Sequence, residues 1–162
     1  MSKLPEINVS FNSPLLPALC LSRREAGDIA GRLLNHLGMK DSRVNLIFAA
    51  DPEMERLNRK FLLRNGPTNV LAFPEPSERS DSNFLGEVYI GVQALQREAL
   101  LYGQSRFEHF IRLLGHGLLH LAGYTHGPEM YALNSELPQI IDPEDYGLKS
   151  NEPGLYSKDK HA

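Results

Sequence analysis

Apolar and polar side chains alternate along several short stretches of this chain, which is the pattern of a half-buried β-strand. Residues 6–11 and 43–49 alternate most clearly, whereas 70–73 and 85–90 are short and largely apolar. Pro74 directly follows the third stretch and predicts its end, because proline has no N–H to donate to a neighbouring strand. The sequence therefore predicts one sheet of about four strands.

Longer stretches carry apolar residues every three or four positions, the period of an amphipathic helix. Ser22 and Glu25 form the Ser-x-x-Glu capping box that opens the first helix, and Gly38 predicts its end. Asp51 and Pro52 predict the start of a second helix, with the aspartate as N-cap. Further helices are predicted over 91–103, from about 105 through 120, and from 128 to 138. Together with the strands they predict an α+β fold, a mixed sheet packed with helices.

Two polar segments fall outside these patterns. Residues 75–83 contain Pro76 and several serines and predict an exposed loop. From Asp142 the chain has few apolar residues, so residues 142–162 are expected to form a loosely held C-terminal tail. The other 141 residues of the 162 are expected to form a single domain, long enough to bury a substantial core.

The composition excludes several classes of protein. The chain is 41% hydrophobic and 23% charged, as ordinary globular proteins are. It has no apolar run long enough for a membrane helix, and its N-terminus lacks the basic start and apolar block of a signal peptide. One cysteine rules out an internal disulfide framework. We therefore expect a cytoplasmic protein without a membrane partner. The net charge of −3 argues against a broadly basic nucleic-acid-binding surface, although a local basic cleft remains compatible with it.

Three of the six histidines, His116, His120 and His126, lie close together in the sequence. A helix brings residues four apart to one face, so the first two can bind the same ion. Gly123 is expected to end the helix or turn the chain, which would bring His126 round as a third ligand. Three nitrogen ligands with an open fourth position are typical of catalytic zinc, whereas structural sites close with four ligands, usually including cysteine. The spacing therefore predicts a metal site with chemistry; histidines hydrogen-bonded within a leucine-rich core are the alternative.

The same histidine spacing occurs in zinc proteases with the pattern H-E-x-x-H-x-x-G-x-x-H. Those enzymes use the glutamate after the first histidine as general base. This chain has Gly117 at that position, so peptide hydrolysis by that mechanism lacks its base.

Three blocks of sequence carry a resemblance to a known family. They read LNRKF (57–61) leading to PTNVLAFP (67–74), then LGEVYI (85–90), then GHGLLHLAGYTH (115–126). These resemble L-N-x-x-[YF]-R-x-x-D-x-P-T-D-V-L-S-F-P, L-G-D-I-x-I and H-G-x-L-H-L-x-G-Y-D-H of the YbeY family. Its members are bacterial metal-dependent endoribonucleases that act in ribosomal RNA maturation and ribosome quality control. The resemblance covers roughly residues 43–137.

The resemblance implies that His116, His120 and His126 bind one metal ion per chain, zinc above all, on a helix at the floor of a cleft. It implies single-strand-directed cleavage of ribosomal RNA, including 16S rRNA 3′-end maturation. It also implies the small ribosomal subunit, its proteins and a ribosome-associated GTPase as partners. The segment before Pro67 would lie at the cleft, and its basic residues would bind RNA: Arg59, Lys60 and Arg64. A solvated helix face is the other explanation of those charges.

The chain departs from the family at signature positions. Leu62 replaces an expected arginine, and Arg64, which follows Lys60 by one helical turn, is the candidate to substitute for it in catalysis beside a metal-bound water. Asn69 and Thr125 replace aspartates of the kind that orient metal-binding histidines. The endoribonuclease is therefore one hypothesis; a metal-stabilised RNA- or ribosome-binding factor with weak or no catalysis is the second, and a metal hydrolase of a small molecule or peptide is the third.

Overall fold

A four-stranded mixed sheet forms the centre of the computed structural model, which describes residues 3–12, 21–76 and 83–148. The strands are β1 (Glu6–Phe11), β2 (Arg43–Ala49), β3 (Val70–Pro74) and β4 (Phe84–Gly91), in the order β1-β2-β4-β3. The first, second and fourth run parallel, whereas β3 is antiparallel to β4 and lies at the edge of the sheet. The predicted α+β fold with its mixed sheet is confirmed.

In the described part of the chain, five α-helices pack around the sheet: α1 (Arg23–His36), α2 (Asp51–Leu62), α3 (Val92–Tyr102), α4 (Arg106–Leu121) and α5 (Pro128–Glu136). The main core lies between α1, α4 and one face of β2 and β4, where Phe48 and Val88 are buried. Tyr89, adjacent to Val88, packs instead against a smaller cluster that includes Met54 of α2. Successive strand residues point to opposite faces, so α2 covers the other side of the sheet. No helix in the described parts of the chain is long and apolar enough to cross a membrane.

The capping box predicted for α1 is present. The hydroxyl oxygen of Ser22 accepts a hydrogen bond from the Glu25 N–H at 3.2 Å, and the Glu25 carboxylate accepts one from the Ser22 N–H at 2.7 Å. Both donors would otherwise lack a partner at the helix start, so this local pattern fixes where α1 begins.

The start of α2 differs from the prediction. Ala50 is the N-cap and has no side-chain bond, while Asp51 is the first helical residue. The Asp51 carboxylate instead accepts two hydrogen bonds from Arg97 of α3, at 2.7 and 3.2 Å, and its N–H donates to the Gln93 side chain. A side chain held by α3 is not available to cap its own helix.

The beginning of the predicted loose tail is packed. Residues Pro143–Tyr146 form a 3-10 turn, Leu148 is buried in the main core, and the Tyr146 hydroxyl donates to Asp28 of α1 at 2.7 Å. The prediction is therefore wrong for 142–148, because an aromatic and a leucine in a polar sequence find partners that only the fold brings near. The rest of that tail, 149–162, lies outside the described residues, as does most of the predicted loop over 75–83.

Candidate metal centre

The three predicted ligands converge on one point. His116 and His120 lie one turn apart on α4, and Gly123 then takes a φ of +95°, which lets the chain turn back so that His126 faces them. The Nε2 atoms of His116 and His120 are 3.1 Å apart, those of His120 and His126 3.2 Å, and those of His126 and His116 3.3 Å. The alternative of histidines hydrogen-bonded separately in a core is not what the structure shows.

The size of this triangle fits a tetrahedral metal ion. Zinc–nitrogen bonds of about 2.0–2.1 Å at tetrahedral angles separate the nitrogens by roughly 3.3 Å. The observed separations of 3.1 to 3.3 Å match that value without rearrangement. His126 is exposed, whereas His116 and His120 are partly buried. The set is one of three nitrogen ligands that could hold a metal ion.

The electrostatics favour the neutral form of two of the imidazoles. Burial, together with the neighbouring His120 and His126, lowers the pKa of His116 to about 4. Burial and His126 also lower the pKa of His120, against a hydrogen bond with the Tyr124 backbone that raises it. A neutral imidazole has a nitrogen lone pair to donate to a metal, so both rings are ready ligands at neutral pH.

Gly117, next to the first ligand, lies against the sheet. A Cβ at this position would be 2.6 Å from Cγ1 of Val88 and 3.3 Å from Cγ2 of Val70. A glutamate here could not be accommodated without moving α4 away from the sheet. The fold therefore leaves no room for the general base of the protease pattern at this position. This counts against the peptide-hydrolase hypothesis.

The histidines lie in a cleft of about 580 Å³. Its walls are the second half of α4, the edge strand β3 and the loop between α2 and β3, from which Arg64 and Thr68 line it. Among the described residues that line this cleft there is no carboxylate. The cleft therefore combines a histidine triangle that could hold a metal ion with a cation and uncharged polar groups, a composition suited to an anionic ligand.

The three predicted RNA-binding residues are not brought together. The helix ends at Leu62, and Leu63 adopts a left-handed conformation (φ 55°), so the chain turns and Arg64 enters the cleft rather than continuing one turn past Lys60. Arg59 is ion-paired with Glu55 at 2.9 Å, and with Lys60 it lines a separate shallow depression on α2. RNA binding by Arg59, Lys60 and Arg64 remains a prediction.

Asn69, at one of the substituted family positions, has a hydrogen-bond partner on α3. The Asn69 amide donates to both oxygens of Glu98 on α3, at 2.9 and 3.1 Å, and Glu98 also contacts Nε2 of His109 at 3.1 Å. An aspartate at 69 would place two carboxylates together, so the asparagine suits Glu98. Thr125 is exposed beside His126. Glu98 was not identified from the sequence, because only the fold brings α3 against the start of β3.

Asn58 is a second residue that the sequence did not single out for the site. It is buried on α2, where its Nδ2 donates to the Gly66 carbonyl at 3.0 Å and its main-chain carbonyl accepts from the Arg64 N–H at 3.3 Å. Asn58 thus bonds two residues of the loop that carries Arg64. A buried asparagine among apolar helix positions was the available signal.

Comparison with known protein families agrees with this geometry. The sequence model of the family described as Endoribonuclease YbeY matches residues 22–136, which include the whole histidine triangle and the cleft loop. The chain belongs to the YbeY family. The metal-binding triangle of this YbeY family member is consistent with the family's metal-dependent nuclease chemistry.

Two relatives agree with this assignment, and one solved structure has a similar fold. The chain is 39% identical to Endoribonuclease YbeY of Oleidesulfovibrio alaskensis over 139 residues, covering 74% of this chain and 82% of the relative. It is 35% identical to Endoribonuclease YbeY of Nitratidesulfovibrio vulgaris over 131 residues, covering 70% and 81%. The solution structure of TM1509 from Thermotoga maritima has a similar fold, with a TM-score of 0.59 at 24% identity over 82% of this chain and 87% of that one.

Proposed function

We propose that this YbeY family member is a zinc-dependent endoribonuclease that cleaves single-stranded regions of ribosomal RNA. The observation that carries the proposal is the triangle of Nε2 atoms, 3.1 to 3.3 Å apart, inside a cleft that Arg64 also lines. Family membership supports RNA as the substrate, and the all-nitrogen ligand set supports zinc.

Each group in the cleft has a role in such a reaction. His116, His120 and His126 would hold the ion, and the neutral rings of His116 and His120 add no positive charge of their own. A bound ion would polarise a phosphoryl oxygen and lower the pKa of a water nucleophile. Arg64, with no ion-pair partner among the described residues, binds the phosphate through its planar fork of donors. Asn58 keeps the Arg64 loop in place.

The biological setting is part of the same proposal. We place the protein in 16S rRNA 3′-end maturation and ribosome quality control, in the cytoplasm, beside small-subunit proteins and a ribosome-associated GTPase. Family membership supports this setting. The single cysteine suits a reducing compartment.

A metal and cleavage assay tests the proposal. Purified protein is expected to carry about one zinc per chain by elemental mass spectrometry and to cleave single-stranded ribosomal RNA fragments. His116→Ala is expected to lose both the zinc and the cleavage, while the control His36→Ala, an exposed histidine at the end of α1, keeps both. Equal zinc content and equal cleavage in wild type and His116→Ala would overturn the proposal.

A second function is favoured by one observation. The described residues lining the cleft include no carboxylate that could act as general base. An RNA- or ribosome-binding factor stabilised by its metal, with weak or no catalysis, is consistent with this. It predicts that metal-loaded protein binds ribosomal RNA tightly and leaves it intact, and that His116→Ala loses thermal stability while RNA binding by the folded protein persists.

A further inference from the structure

Three consecutive large apolar residues are exposed where α2 ends. Phe61 is 53% exposed, Leu62 48% and Leu63 88%. We call these three residues the apolar rim. Exposed apolar patches on a soluble protein commonly mark a binding surface, especially beside a cleft. Leu63 moreover takes the left-handed conformation that glycine usually supplies at a helix end, and this conformation is costly for a leucine.

The apolar rim is continuous with the metal cleft. Leu62 and Phe73 line the cleft together with the three histidines. The ring of Phe61 lies against Phe73 with centroids 5.0 Å apart at 61°, and Phe73 lies against Tyr89 at 5.7 Å and 84°. Tyr89 and Phe73 pack on the smaller buried cluster. Phe61 is therefore a positioned aromatic ring, supported from the core, with half of its surface still open.

In the sequence, one cation precedes this ring and another follows it. The Lys60 ammonium lies over the Phe61 ring, 5.2 Å from its centroid, and Arg64, which follows the rim in the chain, lines the cleft. An aromatic surface between two cations matches the repeat of a single nucleic-acid strand, in which each base is flanked by phosphates. A duplex keeps its bases stacked inside and cannot offer one to such a ring. Three side chains also cover much less than the roughly 800 Å² that each partner contributes to a stable protein interface.

We propose that Phe61, supported by Phe73, is a stacking subsite for one unpaired nucleobase of the RNA strand whose phosphate enters the metal cleft. Lys60 and Arg64 contact the phosphates on either side of that base. This inference rests on the proposed RNA substrate and adds a residue that selects single-stranded over paired RNA.

Binding measurements with damaged RNA test the subsite. Metal-loaded, full-length protein is titrated into a fluorescently labelled single-stranded RNA, and into copies with one abasic position at each site in turn. Loss of the stacked base is expected to weaken wild-type binding by roughly 5- to 150-fold at one position. Phe61→Leu is expected to weaken binding to intact RNA by a similar factor and to respond no further to that abasic position. Phe61→Tyr, which keeps the ring, is expected to restore the wild-type pattern.

A control and a gel separate the possible outcomes. Leu100→Ala removes another exposed apolar side chain, 85% exposed on α3, and is expected to leave RNA binding unchanged. If Phe61→Leu and the abasic positions weaken binding independently, or if Phe61→Leu leaves RNA binding unaltered, the subsite is wrong and the rim serves another partner, such as a protein. The RNA recovered from each titration is run on a gel. Intact RNA with the expected binding pattern would contradict the nuclease but retain the subsite, whereas cleaved RNA with independent effects would do the reverse.

Discussion

Gly117 lies where α4 packs on the sheet, and its missing side chain is a packing requirement. The Cβ of an alanine would lie 2.6 Å from Cγ1 of Val88, whose branched side chain has little freedom to rotate away. Gly117→Ala is therefore expected to lower the free energy of unfolding by about 1–3 kcal/mol, despite the better helix propensity of alanine. Urea unfolding measures the difference.

Gly31 provides the matched control on α1. A Cβ there would meet only the Pro5 carbonyl oxygen, at 3.9 Å, an ordinary contact. Gly31→Ala is expected to be neutral or to stabilise by up to about 1 kcal/mol. If Gly117→Ala were as stable as wild type, the close approach of α4 to β4 would not be a constraint on this position.

The ligand histidines predict how the metal-free protein responds to pH. Burial, with His120 and His126, lowers the pKa of His116 to about 4 in the folded state, whereas an unfolded histidine titrates near its ordinary value of 6.5. Between these pH values the unfolded chain binds more protons than the folded chain does. The contribution of His116 to the free energy of unfolding is therefore fully present above pH 6.5 and is lost as the pH falls towards 4. After solvent screening the effect is about 1–2 kcal/mol.

Chelator-treated protein in urea provides the measurement. Wild type is expected to lose more unfolding free energy between pH 7 and pH 4.5 than His116→Gln, in which this titration is absent. Other titrating groups contribute equally to both proteins and cancel in the comparison. An identical pH dependence would show that His116 is not held neutral by its surroundings.

At the scale of elements, two residues join the 3-10 turn before Leu148 to α1: Tyr146, and Asp145 through its ion pair with Arg32 at 3.2 Å. Tyr146 donates to Asp28 at 2.7 Å and accepts from Arg32 at 3.1 Å, and Arg32 also donates to the Ile140 carbonyl at 3.3 Å. Tyr146→Phe removes both tyrosine bonds and is expected to cost about 1–2 kcal/mol of unfolding free energy.

Thermal unfolding by circular dichroism checks this, with Tyr131→Phe as the control because Tyr131 is 60% exposed on α5. The control is expected to melt as wild type does. Equal melting of Tyr146→Phe and wild type would mean that the two hydrogen bonds of the Tyr146 hydroxyl add no stability.

At the scale of the whole molecule, the metal triangle links α4 to the chain that follows Gly123. An ion that binds only the folded state stabilises it by about 2.7 kcal/mol at a free concentration 100 times its dissociation constant. For a chain of 162 residues, chelation is therefore expected to lower the melting temperature by roughly 5–10 °C, and added zinc to restore it.

His116→Ala is the control for this effect. It is expected to melt at one temperature with or without chelator, because it lacks a ligand. If neither chelator nor added zinc changed the melting temperature of the wild type, the histidines would not hold an ion tightly.

The sequence by itself determined the features that depend on local chemistry. Alternation in two stretches and short apolar runs in two others specified the four strands, and the Ser22–Glu25 box specified the start of α1. The spacing of His116, His120 and His126 specified a candidate ligand set, because helix periodicity and one glycine turn suffice to bring them together. The family blocks likewise needed only the linear sequence.

The tertiary structure decided what depends on contacts between distant segments. Arg97 draws the Asp51 carboxylate away from the cap, Glu98 accounts for Asn69, and the fold of α4 onto β4 leaves Gly117 no room for a base. Arg64 enters the cleft, while Lys60 remains on the outer surface, because the helix ends between them. Such partners lie far apart in the chain, or depend on where a helix stops, and hydrophobic periodicity carries no information about either.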